Sequence, residues 1–267
     1  MKRRPIILTI LWLTAHLAQA QSTLHFIIAA DTQHPDTSFA ASCRADSASM
    51  HKESGDMAQG AGFKLQRHMV CGPNFTPESL LAKAQSVPAK PGDVVFFYIS
   101  CHGGCKKDDP ASLRDERRWL MFLSKNKKGE RWLSTDTLLS VIEAKKARLN
   151  VMVVDACGKV RNIPAFGRTR GDAERRAYRA LLSACGTVRA FSSKCTEFSY
   201  CDKKGGLYTN ALLDALDHFI SIGDGNLTWK TLLDYAAATT TQRAKQIFLQ
   251  QHPASFFDEN FKDKCGQ

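Results

Sequence analysis

The sequence contains no Cys-x-x-Cys pair, no internal repeat, no low-complexity tract and no stripe of basic residues interleaved with aromatics. Without a Cys-x-x-Cys pair, the usual spacing for a structural zinc site is missing; Cys101 and Cys105 have no matching second half. No metal and no cofactor are therefore expected. A long apolar run is also lacking. Spanning a bilayer takes ~20 apolar residues, and the best candidate, Ile6 to Leu17, is interrupted by His16. What surrounds that short core is informative: Lys2, Arg3 and Arg4 precede it and Ala18-Gln19-Ala20 follows, which is the pattern of a secretory signal peptide with a small-x-small cleavage site. Residues 1–20 are expected to be that signal, with 21–267 forming one secreted or periplasmic domain large enough for a substantial core.

Lys and Arg number 37 against 26 Asp and Glu, a formal charge of +11. Loss of Lys2, Arg3 and Arg4 with the signal brings it to +8, because residues 1–20 hold no acid. The charges are scattered apart from a denser stretch at 159–179. A nucleic-acid-binding chain shows a directed basic face, so no specific nucleic-acid partner is expected. The surface fits electrostatic attraction to anionic envelopes.

Cysteine is abundant at nine residues, and an odd count leaves at least one thiol unpaired. Export favours disulfides, so eight paired cysteines and a free Cys157 is the simplest partition. Spacing suggests Cys43–Cys71 and Cys195–Cys201. Reduced cysteines acting as small buried hydrophobes are the alternative.

Apolar runs at Leu24–Ala30, Val94–Ser100, Leu149–Val154 and Thr187–Ser192 predict strands, as do Phe63–Val70 and Trp119–Leu123. Helices are expected at 38–59, from Thr76-Pro77-Glu78 to about Gln85, from Ser134 to about Ala147, and over 207–220 and 228–248, the second and third marked by their caps. Residues 103–118 and 158–179 read as loops, and a last strand is expected within 248–257. Strands alternating with helices imply an α/β domain with a mostly parallel sheet covered on both faces.

Two of these strands run into reactive residues. Val94 to Ser100 leads to His102-Gly103-Gly104, and Asn150 to Val154 leads to Asp155-Ala156-Cys157. In an open parallel sheet, ligands collect at the carboxyl ends of the strands, so a base and a thiol would face one crevice. Sulfur attack on an amide needs a thiolate, an imidazole to manage protons and donors for the oxyanion. Cys157 supplies the first and His102, with an unperturbed pKa of ~6.5, the second. The amides of Gly103 and Cys157 are the candidate oxyanion hole, since side-chain-free Gly103 and Gly104 permit close backbone approach.

On these blocks the chain resembles the caspase-like cysteine peptidases of the metacaspase and bacterial branch. That family's strand followed by Ser-Gly-His-Gly is matched by Phe97-Tyr98-Ile99-Ser100-Cys101-His102-Gly103, and its strand followed by Asp-x-Cys by Val153-Val154-Asp155-Ala156-Cys157. Gly205-Gly206-Leu207-Tyr208-Thr209 and Gln251-His252-Pro253 are similar to its small-subunit motifs. The resemblance covers about residues 24–257. It implies a three-layer caspase-like fold with a six-stranded, mostly parallel central sheet and helices on both faces. The large-subunit-like part would be 21–158, the linker 159–179 and the small-subunit-like part 180–267.

The resemblance further implies a His102/Cys157 dyad acting on protein or peptide substrates. Asp155 falls on the aspartate that receives a basic P1 side chain, and Asp46, within Cys43-Arg44-Ala45-Asp46, on the other wall of that pocket; Ser100 is a further substrate-binding candidate. Two carboxylates favour Arg or Lys, whose charge they match. Self-cleavage would fall at Arg168, Arg170, Arg175 or Arg176. Cys101 and Gly158-Lys159-Val160 depart from the pattern; a Cys101–Cys105 disulfide bracing the histidine loop and oxidation of one of these thiols onto Cys157 are the two outcomes open here. The aspartates of calcium-dependent relatives are missing around Leu123-Ser124-Lys125 and Pro164, so no calcium site is expected. A monomer is the expected state. The rival expectation is a catalytically silent caspase-like binding protein of the envelope.

Overall fold

The computed structural model describes residues 21–104, 120–126, 129–156, 159–161, 174–195, 197–223 and 226–266. The expected signal peptide, Cys105, Cys157, Arg168 and Arg170 lie outside the described residues.

Strands β1 (Thr23–Ala30), β2 (Lys64–Cys71), β3 (Val94–Gly104), β6 (Leu149–Ala156), β8 (Gly186–Phe191) and β11 (Ala254–Phe257) form a central sheet in the order β11-β8-β6-β3-β1-β2. Every neighbouring pair is parallel except β11, which runs antiparallel along β8. The runs over β1, β3 and β6 are almost wholly apolar because both faces of these strands are buried. On one face, Leu24, Phe26, Phe96, Tyr98, Val151 and Val153 pack against α1 (Thr37–Ala61), α4 (Glu174–Leu182), α5 (Leu207–Ser221) and α6 (Trp229–Gln246). On the other, Ile27, Phe97, Ile99, Met152 and Val154 meet α2 (Pro77–Ser86) and α3 (Thr135–Glu143). The chain is thus a three-layer α/β domain with helices on both faces of a six-stranded, mostly parallel sheet.

Caps explain several boundaries. Asp36 accepts the amides of Ser38 and Phe39 to start α1, and Gly62, in the left-handed region at φ +79°, ends it. Thr76 and Ser134 cap α2 and α3 as their side chains predict.

Two loop expectations are corrected. β3 continues past Ser100 to Gly104, and its last residues, His102 to Gly104, pair antiparallel with β4 (Leu120–Asn126), which in turn pairs with β5 (Gly129–Ser134). The basic stretch 158–179 contains β7 (Lys159–Val160) and the start of α4. The spacing of Ala177, Tyr178, Leu181 and Leu182 buries one stripe of that helix, and Tyr178 donates to the fully buried Glu53 at 2.5 Å. Short strands β7, β9 (Tyr200–Asp202) and β10 (Gly205–Gly206) make a second, three-stranded sheet.

The cysteine pairing is corrected too. Cys185 is bonded to Cys265, 80 residues away, where the start of β8 meets the chain end through a Cys185–Lys262 bridge. Cys195 is also disulfide-bonded. Cys43, Cys71, Cys101 and Cys201 are free, so Cys43–Cys71, Cys195–Cys201 and Cys101–Cys105 are not formed. Cys43, Cys71 and Cys201 pack with Ala30 and Phe39 as small apolar groups instead. No helix among the described residues is long and apolar enough to cross a membrane.

Candidate active site

The parallel register of β3 on β6 organises the site. Ser100 pairs with Asp155 and Cys101 with Ala156, so the parallel pairing of the two strands stops with residues 101 and 156 side by side, where β6 ends and β3 turns its pairing to β4. The next residue of one is His102; the next residue of the other is Cys157.

Strand alternation sends successive side chains to opposite faces. Cys101 enters the apolar cluster beneath the sheet with Ile99, Val154 and Ala156, and burial pushes its thiol well above the ordinary range. A protonated, buried thiol is a poor nucleophile. Cys101 is accordingly inert, although it stands next to the histidine. Ser100 faces the other way, toward α1.

His102 is half-buried, and its imidazole lies flat on the ring of Phe39, with centroids 3.8 Å apart and planes 5° from parallel. His34 approaches edge-on, 4.7 Å from His102 and 5.0 Å from Phe39. Gly103, also half-buried, pairs with Met121 of β4. Neither His34 nor Phe39 carries a sequence signal; only the turn after β1 and the first turn of α1 bring them to the strand end.

Asp46, Ser100 and Asp155 come together in the interior on the α1 face, where all three are at most 1 % exposed. The Ser100 hydroxyl donates to Asp46 Oδ2 at 2.8 Å, and the Gly206 amide to Oδ1 at 2.9 Å. Asp155 Oδ2 accepts both the amide and the hydroxyl of Thr209, at 3.0 and 2.6 Å, while the Ser199 hydroxyl reaches Oδ1 at 3.2 Å. Tyr98 Oη lies 2.6 Å from Thr209 Oγ1. Gln251 completes the frame by donating to the Ser192 carbonyl and to Ser199 Oγ and accepting from the Tyr200 amide. Gly206 and Thr209 of the block Gly205–Thr209 therefore bond the two carboxyls directly, and Gln251 reaches Asp155 through Ser199.

Electrostatics distinguish this pair. Burial pushes the Asp46 carboxyl well above the usual carboxylate range, and the neighbouring Asp155 charge pushes it further, against the opposing donors Ser100 and Gly206. The Gly205–Gly206 turn lies directly across both groups. A Cβ on Gly205 would collide with Asp46 Oδ1 and one on Gly206 with Asp155 Oδ2. Gly205 also sits at φ +122°, a conformation side chains rarely adopt.

Of the remaining candidates, Arg175 and Arg176 occupy the first turn of α4. Among the described residues, no group of three or more His, Cys, Asp or Glu side chains is arranged to hold a metal ion.

Compared with protein-family models and with curated proteins, the chain matches none.

Proposed function

We propose that this chain is a secreted, caspase-like cysteine endopeptidase that cleaves after Arg or Lys through Cys157 and His102. The observation that carries the reading is the pairing of β3 with β6, which aligns Ser100 with Asp155 and Cys101 with Ala156, the latter pair immediately before the histidine and the cysteine. Adjacent strand ends are where parallel α/β sheets collect their chemistry. The two buried carboxyls beside those ends supply the preference: a guanidinium or ammonium group offers the positive charge that Asp46 and Asp155 together favour.

In the proposed reaction the Cys157 thiolate adds to the scissile carbonyl carbon. The amides of Gly103 and Cys157 hold the oxyanion that develops. The His102 imidazolium gives its proton to the leaving amine as the C–N bond breaks, leaving a thioester. Water then attacks the thioester as His102 takes its proton, the C–S bond breaks, and the carboxylic acid product leaves with the Cys157 thiolate and His102 imidazolium regenerated. Protein or peptide substrates and a location outside the cytoplasm follow from this reading, with the disulfide Cys185–Cys265 in keeping with an oxidising compartment.

The deciding experiment is hydrolysis of fluorogenic peptides ending in Arg, Lys or Asp by the reduced mature chain and by Cys157→Ala. Turnover of Arg or Lys peptides that vanishes in Cys157→Ala is expected. No turnover of any of the three would overturn the assignment. A second reading, a catalytically silent binding protein, is favoured by one observation: Asp46 and Asp155 are fully internal and well supplied with donors, as structural carboxyls are. Labelling of Cys157 by an arginyl chloromethyl ketone separates the two, because only a formed P1 pocket directs that reagent.

A further inference from the structure

We infer that Phe39 and His34 are positioning residues for the His102 imidazole: Phe39 fixes the plane of the ring by stacking on one face, and His34 closes its flank. The inference rests on His102 being the dyad base proposed above, and its test is chosen to fail separately from that proposal.

Phe39 does not owe its place to His102. It is 1 % exposed and wedged among Ala30, Cys43 and Cys201, and its own amide is held by the Asp36 carboxylate at 3.1 Å. His34 is equally constrained, because its Nδ1 accepts the Asp36 amide at 3.1 Å, which leaves Nε2 to carry the proton of the neutral ring. The N-terminal entry to α1, His34 to Phe39, thus holds both residues through two contacts of Asp36 and lays their rings against a third. The stack is close to parallel at 5°, and rotation of the imidazole about its Cβ–Cγ bond would break it. His34 meets the imidazole edge-on, at 64° and 4.7 Å between centroids, so a large rotation of the ring would also change this contact. A general base must present one nitrogen to the reacting atoms, and catalysis is sensitive to small errors of placement. Neither residue touches substrate in this account; both act through His102.

The test has a spectroscopic arm and a kinetic arm, both on the reduced mature chain. In proton NMR with histidine-labelled protein, the His102 ring signals, assigned with His102→Asn, are expected upfield from the ring current of Phe39. They should return toward ordinary histidine positions in Phe39→Leu and stay upfield in Phe39→Tyr. In the kinetic arm, kcat should fall about 10–100-fold in Phe39→Leu with KM within about twofold, and Phe39→Tyr should recover most of it. Should Phe39→Leu not fold, His34→Gln, a change at a half-exposed turn residue, is expected to move the His102 signals and lower kcat about 3–10-fold at constant KM. Unmoved His102 signals in these variants, or an unchanged kcat alongside an active wild type, overturns the inference and leaves the peptidase reading standing. An inactive wild type whose His102 signals still depend on Phe39 supports the inference while the peptidase reading fails.

Discussion

Asp46 and Asp155 are buried neighbours, and the nearness of the second raises the proton affinity of the first beyond what burial alone does. A protein gains no stability from enclosing two like charges. The arrangement is held by donors from four places in the chain: Ser100, Ser199, Gly206 and Thr209. Those elements meet at the ends of β3 and β6, where the proposed chemistry lies.

The pH dependence of stability follows with a definite sign. A carboxyl whose folded pKa is raised binds its proton more tightly folded than unfolded. Its contribution is fully present below the unfolded value of ~3.9 and is lost as pH rises through the folded one. Replacing Asp46 by Asn removes that titration. D46N is therefore expected to melt higher than wild type at pH 8, by about 2–4 °C for each kcal/mol recovered, and to show a flatter dependence of Tm on pH above about 4. In peptide hydrolysis D46N should lose at least about 30-fold in kcat/KM toward Arg substrates, the equivalent of about 2 kcal/mol for a buried charged contact. Thermal melts between pH 4 and 8 check the first claim. A lower Tm for D46N at pH 8, with the wild-type slope retained, contradicts it.

The strands that build this site were legible in the chain because burial on both faces removes polar residues from them, as in Phe26–Ala30, Val94–Ile99 and Val151–Val154. Helix starts were legible where a side chain caps them, at Thr76 and Ser134. The helix at Glu174 was hidden because its buried stripe is only Ala177, Tyr178, Leu181 and Leu182 amid a run of arginines. Strands β7, β9 and β10 are two or three residues long and exist only through pairing with distant partners. Local pattern cannot announce such elements. The same holds for Phe39 and His34, whose contact with His102 is made across two other elements, and for Cys185–Cys265, which depends on the chain end returning to β8. The position of Asp46 and Asp155 as neighbours was implied by resemblance alone; their donors come from residues far apart in the chain, Ser100, Ser199, Gly206 and Thr209, which no local pattern marks.

The turn over the carboxyls should tolerate no side chain. Gly205→Ala meets both a left-handed backbone at φ +122° and the Asp46 carboxyl, whereas Gly62→Ala meets a left-handed backbone at φ +79° with open space around it. Strain alone costs about 1–2 kcal/mol. Gly205→Ala is accordingly expected to lose about 2–4 kcal/mol and Gly62→Ala about half as much, the difference measuring the collision with Asp46. Chemical denaturation of the two variants provides the comparison. Equal losses would show that the turn moves aside freely.

Removal of the Cys185–Cys265 bond should loosen the C-terminal part of the sheet while leaving the site built. The bond joins residues 80 apart and clamps the start of β8 to the segment following β11. Opening so long a loop in the unfolded chain is expected to lower stability by about 2–5 kcal/mol. Cys185→Ser with Cys265→Ser should therefore melt lower than oxidised wild type, yet retain Arg-peptide turnover at 15 °C if the protein is the proposed peptidase. An unchanged Tm in the double variant would show that the bond does not form in solution.

Self-processing, if the proposed specificity is right, is restricted by α4. Peptidases of any class bind their substrates in an extended form, often adding the peptide as a strand. Arg175 and Arg176 stand in the first turn of a helix that packs along α1 and is fastened by Tyr178 to the buried Glu53. Exposing either bond requires unwinding that turn, while Arg168 and Arg170 precede the helix in the chain. Prolonged incubation of the concentrated protein is therefore expected to yield cuts after Arg168 or Arg170 and none after Arg175 or Arg176. Intact-mass analysis and N-terminal sequencing distinguish these products directly. Arg168→Ala with Arg170→Ala should abolish the cuts and Arg176→Ala should leave them unchanged. Because α4 and β8 beyond it belong to the common core, the two fragments should elute together in native size exclusion. Cleavage after Arg176 in protein that remains folded would mean that α4 opens more readily than its buried stripe and its bond to Glu53 allow.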